Sequence, residues 1–151
     1  MRSIQHLKNI KIKDEYGTPK IIMEKIKMKY NVNPKLDVCA SKENTKCINF
    51  FSNEDDALTQ QWQHDFFMNP PYSRVKEFMK YAYGQHLKHN VTGTVLVYSK
   101  TDTKWWHEFV EEKAEVHFIP RRIHFEVSGI GTINSAPYPS CVIIWRKNGG
   151  D

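Results

Sequence analysis

Asn69-Pro70-Pro71-Tyr72 is the stretch of this 151-residue chain whose residue types are best suited to chemistry. It closes a largely apolar run, His64-Asp65-Phe66-Phe67-Met68, which reads as a buried strand of a parallel sheet. Two successive prolines remove two backbone donors, fix φ, and hold the residue before each of them extended. The strand therefore stops at Asn69 and gives way to a stiff loop at its carboxyl end, where open α/β sheets bind ligands. An isolated Asn-Pro-Pro can also be a simple turn. A polar Asn closing a buried run, with an aromatic residue just after it, fits a reactive site better. The chemistry that suits such a loop is methylation of an exocyclic amino group on a planar ring. That amine is a poor nucleophile, because its lone pair is delocalised into the ring. Two acceptors aimed at its hydrogens favour the pyramidal amine and stabilise charge developing on nitrogen. The Asn69 side-chain carbonyl and the Pro70 backbone carbonyl can supply them. Pro70 and Pro71 stiffen the loop in advance of the substrate, and the Tyr72 ring offers a face to an extruded base.

Several elements must position this loop. Glu15-Tyr16-Gly17-Thr18-Pro19 leads into a helix, with Thr18 as N-cap and Pro19 at the first helical position. Ile22, Met23, Ile26 and Tyr30 give that helix an apolar face. Lys35-Leu36-Asp37-Val38-Cys39-Ala40 reads as a strand ending in small residues, where an Asp is commonly a capping or turn residue. Residues 44–51 are too few for a crossover helix and another long strand, so this connection is abbreviated. Asn53-Glu54-Asp55-Asp56-Ala57-Leu58 then sets carboxylates ahead of the loop, either as a solvated acidic turn or as ligands. Beyond the loop, Ser73 can cap a helix through residue 87 whose buried stripe is Val75, Phe78, Met79 and Ala82. A buried strand follows at 94–98. Thr101 and Asp102 at its carboxyl end face the site, cap a helix over 103–112, or do both. Of the adjacent Trp105 and Trp106, one belongs to the core and the other lies more exposed, and His107 belongs on the surface. Further strands are expected over 116–119, 123–127 and 141–145. The Gly- and Pro-punctuated loop 128–139 is long for a hairpin. Arg121 and Arg122 stand at a strand entrance, where they suit contact with DNA phosphate or form a plain surface pair.

Length and composition bound these readings. The chain is expected to be a basic N-terminal arm, 1–13, followed by one domain, 14–151. No apolar run suits a membrane span, and no signal-peptide pattern is present. Cys39, Cys47 and Cys141 are odd in number and show no CxxC spacing, which favours free buried thiols over disulfides or zinc. The net charge of +5 permits a polyanionic partner.

Asn69-Pro70-Pro71-Tyr72 resembles the (Asn/Asp/Ser)-Pro-Pro-aromatic signature of amino-methyltransferases that use S-adenosylmethionine. Its Asn form occurs in adenine-N6 DNA enzymes and also in enzymes acting on RNA bases or protein glutamine. The ordered series is more specific. Glu15-Tyr16-Gly17-Thr18-Pro19, Leu36-Asp37-Val38-Cys39-Ala40-Ser41, Phe50-Phe51, Asp55-Asp56-Ala57-Leu58, Trp62, Asn69-Pro70-Pro71-Tyr72-Ser73 and Thr101-Asp102-Thr103-Lys104-Trp105 resemble the phage-type DNA adenine-N6 methyltransferase family, often called Dam-like. The likeness runs from about Asp14 to Trp145. Family members commonly carry Trp where Tyr16 stands, a change that preserves aromatic packing, and the glycine-rich turn that is absent after Ala40 is absent from the family too.

The resemblance implies an α/β fold: a Rossmann-like S-adenosylmethionine-dependent methyltransferase sheet with helices on both faces and an abbreviated first crossover. It implies a phage-encoded enzyme that methylates adenine N6 in DNA, in the host cytoplasm. Asn69, Pro70, Pro71 and Tyr72 would be catalytic. Tyr16, Thr18, Pro19, Asp37, Cys39, Ala40 and Asn69 would surround the cofactor, with Asp37 meeting its methionine ammonium. Asp56, or else Asp55, would accept from its adenine amine. Tyr72, Ser73, Thr101, Asp102, Arg121 and Arg122 would face DNA. No metal is expected, because a sulfonium is already activated. With no separate target-recognition domain, a short or relaxed target is expected, and a homodimer could add contact surface. The rival readings are methylation of RNA or protein glutamine, and a non-catalytic nucleic-acid-binding subunit. The intact Asn-Pro-Pro-Tyr argues against the last.

Overall fold

Strands that are buried at every position need cover on both sides, and three such strands build the centre of a six-stranded sheet. The computed structural model describes residues 17–127, 131–132 and 135–149. Tyr16, the arm 1–13 and parts of the loop 128–139 lie outside the described residues. In chain order the elements are α1 (Lys20–Tyr30), β1 (Leu36–Asp37), β2 (Asn49–Phe50), β3 (Phe66–Met68), α2 (Val75–His89), β4 (Gly93–Tyr98), α3 (Lys104–Phe109), β5 (Glu115–Phe118), β6 (Glu126–Val127), β7 (Gly131–Thr132) and β8 (Ser140–Trp145). The sheet order is β2-β1-β3-β4-β8-β5, and β6 pairs with β7 in a separate ribbon. Strands β2, β1, β3 and β4 run parallel, whereas β8 is antiparallel to both β4 and β5.

Alternation along each strand sorts the core into two faces. Phe66, Met68, Val95, Val97, Cys141, Ile143 and Trp145 face α2 and α3, which contribute Phe78, Met79, Ala82, Trp105 and Trp106. Phe67, Leu96, Tyr98, Val142 and Ile144 face α1, through Met23 and Ile26, together with Ile123, Phe125 and Ala136. Helices thus cover both faces. No helix joins β1 to β2, so the first crossover is the abbreviated one expected. Among the described residues, no helix is long and apolar enough to cross a membrane.

Several local expectations change. Pro19, not Thr18, occupies the N-cap position of α1, and its carbonyl accepts from Ile22 N and Met23 N. The strand expected over 35–40 pairs only at Leu36–Asp37, and the one expected over 123–127 only at Glu126–Val127. Tyr72–Arg74 forms a 3-10 turn, so the N-cap position of α2 falls on Arg74 rather than Ser73. Thr103 caps α3, its hydroxyl accepting from Trp106 N, and this displaces Thr101 and Asp102 from that role. Trp105 and Trp106 are both buried, because α3 sits against α2 as well as the sheet and so has two covered sides. Cys141 is buried, but Cys39 and Cys47 are only half-buried, and all three are free thiols.

At Gly93 the close approach of β3 and β4 leaves no room for a side chain. A Cβ there would lie 2.5 Å from the Phe66 ring, which is fully buried. Gly93→Ala is expected to lower unfolding free energy by about 1–3 kcal/mol through overpacking. Urea denaturation of the purified variant measures this, and wild-type stability would mean that the Phe66 ring can shift.

Candidate active site

Asn69 begins where the β3 ladder ends. A cavity of about 280 Å³ opens there, beside the carboxyl ends of β1 and β3. One wall is the turn after β1, with Val38, Cys39, Ala40, Ser41 and Asn44. A second is the segment after β2, with Phe51, Asn53, Asp56 and Ala57. Asn69 and Pro71 line the third side, with Arg74 and Phe78 beyond them.

Each wall is shaped by local hydrogen bonding. Asp37 is buried, and its carboxylate holds the first turn from behind: Oδ1 accepts from Cys39 N at 3.4 Å and Oδ2 from Lys46 N at 3.0 Å. Burial pushes its pKa up to about 6, against the pull of those bonds. Ser41 and Asn44 close the turn reciprocally, Ser41 N donating to Asn44 Oδ1 at 2.7 Å and Asn44 N to Ser41 Oγ at 3.3 Å. Phe51 N donates to Asp37 O and Ala40 N to Phe51 O, which carries the pairing of β1 with β2 into the cavity wall. Desolvation, then the Asp37 carboxylate, hold the Cys39 thiol well above its usual range.

In the second wall, Asp55 turns away from the cavity and accepts from Ser52 N at 2.8 Å and Ser52 Oγ at 3.0 Å. Those bonds lower its pKa. Asp56 stands on the cavity wall with a left-handed backbone, φ 48°. Behind it, Trp62 Nε1 donates to Ala57 O at 3.0 Å, and Trp62 N donates to Gln85 Oε1 of α2 at 2.7 Å.

On the third side, Asn69 Nδ2 donates to the buried Thr18 hydroxyl at 3.1 Å. Pro70 is buried next to it. The Tyr72 ring stacks on Tyr98, centroids 4.2 Å apart and planes 2° from parallel, with Phe125 edge-on to both. Arg74 pairs with Glu77 at 3.0 Å and lies over the Phe78 ring.

The fold thus brings Cys39, Ala40, Asp56, Asn69 and Pro71 onto one cavity, with Thr18 bonded to Asn69. It sets Asp37 behind the turn and Asp55 outside the lining. Ser73 is exposed, and Thr101 and Asp102 occupy an exposed turn after β4. Arg121 and Arg122 are exposed, and Arg122 Nη1 reaches Ala136 O at 3.5 Å. Asn44 and Arg74 escaped the sequence reading. Ser41-x-x-Asn44 carries a recognisable turn signal; Arg74, two residues past Tyr72, carries none.

The class of protein follows from comparison. The family described as DNA N-6-adenine-methyltransferase (Dam) matches residues 5–150, and the chain belongs to it. Two relatives carry the name DNA N-6-adenine-methyltransferase. One, from Haemophilus phage HP1, is 35% identical over 108 residues, 71% of this chain and 62% of the relative. The other, from Escherichia phage T1, is 30% identical over 120 residues, 78% of this chain and 50% of the relative. The chain spans between half and two thirds of the length of these relatives.

The raised Asp37 pKa fixes a sign. An unfolded Asp titrates near 4, so between about pH 4 and 6 the folded chain holds more protons than the unfolded one. The stability this confers is fully present below pH 4 and is lost as pH rises through 6. The Asp37 contribution should fall by on the order of 3 kcal/mol across that window. Urea midpoints for wild type and Asp37→Asn at pH 4.5 and 7 test it, with the variant expected to show the smaller fall. Identical pH dependence in the two proteins would leave Asp37 unperturbed.

Proposed function

We propose that this chain transfers a methyl group from S-adenosylmethionine to the N6 amine of adenine in DNA. The observation that carries the reading is the placing of Asn69: it leaves a strand buried on both faces, its amide is tied to Thr18, and it stands on the wall of a cavity large enough for part of a nucleoside-sized ligand. Family membership and the names of the two phage relatives support it. The parallel strands β2, β1, β3 and β4, with β8 inserted antiparallel between β4 and β5, support reading the sheet as a Rossmann-like methyltransferase sheet. The net charge of +5 suits a DNA partner.

The cavity lining fits the cofactor. Phe51 and Phe78 offer aromatic surface for an adenine ring, Asp56 a carboxylate for its amine, and the Cys39-Ala40 turn a backbone that a ligand can approach closely. S-adenosylmethionine, when bound, supplies a methyl group already activated on sulfonium. The chain's own residues orient the acceptor. The Asn69 and Pro70 carbonyls accept from the N6 hydrogens, which draws the nitrogen toward a pyramidal shape with its lone pair available. Tyr72, braced by Tyr98, supports the extruded base. Asp37 serves from beneath, by holding the turn. The methylated amine loses its proton readily, so no strong base is needed.

Incubation with a labelled methyl donor and duplex DNA, RNA or protein, followed by nucleoside and amino-acid analysis, tests the reading. N6-methyladenine in DNA is expected, and mapping the modified sites gives the target length. Label confined to RNA or to glutamine would overturn the assignment. Asn69→Ala is expected to slow transfer by about 100-fold or more, with cofactor affinity retained; undiminished turnover would remove Asn69 from the mechanism. Asp56→Ala is expected to weaken cofactor binding in calorimetry, and unchanged affinity would make Asp56 a turn residue only.

A further inference from the structure

Thr18 stands 51 residues before Asn69 in sequence, yet the two side chains meet at 3.1 Å. The Thr18 side chain is carried on a backbone fixed from both sides. On one side, Gly17 and Glu126 form an antiparallel bridge, Gly17 N donating to Glu126 O at 2.7 Å and Glu126 N to Gly17 O at 3.0 Å. On the other, the Pro19 carbonyl accepts the first amides of α1, from Ile22 at 3.0 Å and Met23 at 3.1 Å. Thr18 itself is only 3% exposed. Its hydroxyl is therefore a fixed point, while the outer torsion of an Asn side chain is broad and soft.

That softness matters at Asn69. A primary amide is nearly symmetric in shape, but one end accepts and the other donates. An amide turned out of plane, or end for end, aims its carbonyl away or points its own N–H groups at an amine that is itself a donor. The Thr18 hydroxyl can accept or donate, so it does not by itself choose which end of the amide it meets; bonded to Nδ2 at 3.1 Å, it holds the plane of the amide with Oδ1 at the other end. The helix-entry residue thereby acts on the reacting amine without touching it.

We infer that Thr18 is a positioning residue for methyl transfer, clamping the Asn69 amide in the orientation that presents its carbonyl to the substrate amine. This rests on the reading of Asn69 as acceptor for that amine. Thr18→Val keeps shape and burial but removes the hydroxyl; Thr18→Ser restores it. Thr18→Val is expected to lower kcat by about 10- to 100-fold, as misplacement of an aligned group does, with the cofactor Kd within about threefold of wild type. Thr18→Ser is expected to recover most of the rate. The amide is also read directly by NMR, with the Asn69 side-chain NH2 signals assigned by their loss in Asn69→Ala. Those signals are expected to shift toward exposed-amide values in Thr18→Val. Unaltered Asn69 signals in folded Thr18→Val, an unchanged kcat, or a loss confined to cofactor affinity would each overturn the inference. A wild-type protein that methylates no DNA adenine would instead overturn the functional reading, and the NMR comparison would still decide whether Thr18 holds the amide.

Discussion

A strand with both faces buried can satisfy its backbone only through the strands beside it. β3 does so within three residues: Phe66 N donates to Thr92 O, Phe67 O accepts from Val38 N, and the ladder partners lie in β1 and β4. No water or side chain needs to reach this part of the backbone, and the only direction left open is along the strand. At its carboxyl end, Pro70 and Pro71 have no N–H with which to continue pairing. The ladder ends because its donors run out, and Asn69 is left at the boundary between core and cavity. The cavity walls depend on that end point, since β1 and its turn are aligned to β3 by the same register.

Where the governing physics is local, the sequence was readable. The apolar runs of β3, β4 and β8 required cover on both faces, and α1 and α2 showed helical spacing. Asn69 was legible because an apolar run and two prolines define its place without reference to anything distant. Capping was not legible. Thr18, Ser73, Thr101 and Asp102 each have the right chemistry for a helix start, but a hydroxyl's partner is settled by what folds against it. For Thr18 that is a side chain 51 residues away. Asp37 shows the same limit: its type and place at a strand end suited a ligand or a turn alike, and both its oxygens meet the backbone of the loop that they support. The two tryptophans misled because a helix covered on two sides buries neighbouring positions.

The polar contacts behind the cavity share a pattern. Asp37 beneath one turn, Gln85 behind the other and Thr18 beside Asn69 are all buried, and each spends its bonds on a loop that lines the cavity or on a side chain in it. Buried polar groups are costly unless bonded, so each is a constraint on the conformation of the segment it meets. The left-handed backbone at Asp56 sits within such a braced segment: Trp62, held by Gln85, bonds the carbonyl of Ala57 next to it.

The place of β8 bears on how the molecule is made. Among the described strands it comes last in sequence, yet it lies inside the sheet, between β4 and β5. During synthesis, β4 and β5 emerge first, and the facing backbone groups of both await the strand that will lie between them. Sheet closure is therefore an insertion, made when residues 140–145 leave the ribosome, rather than the addition of a strand at a rim. Non-local pairing of this kind is slow, and unpaired inner edges are exposed to other chains while it waits. Those edges stay unpaired from the emergence of β5 until residues 140–145 are free to insert.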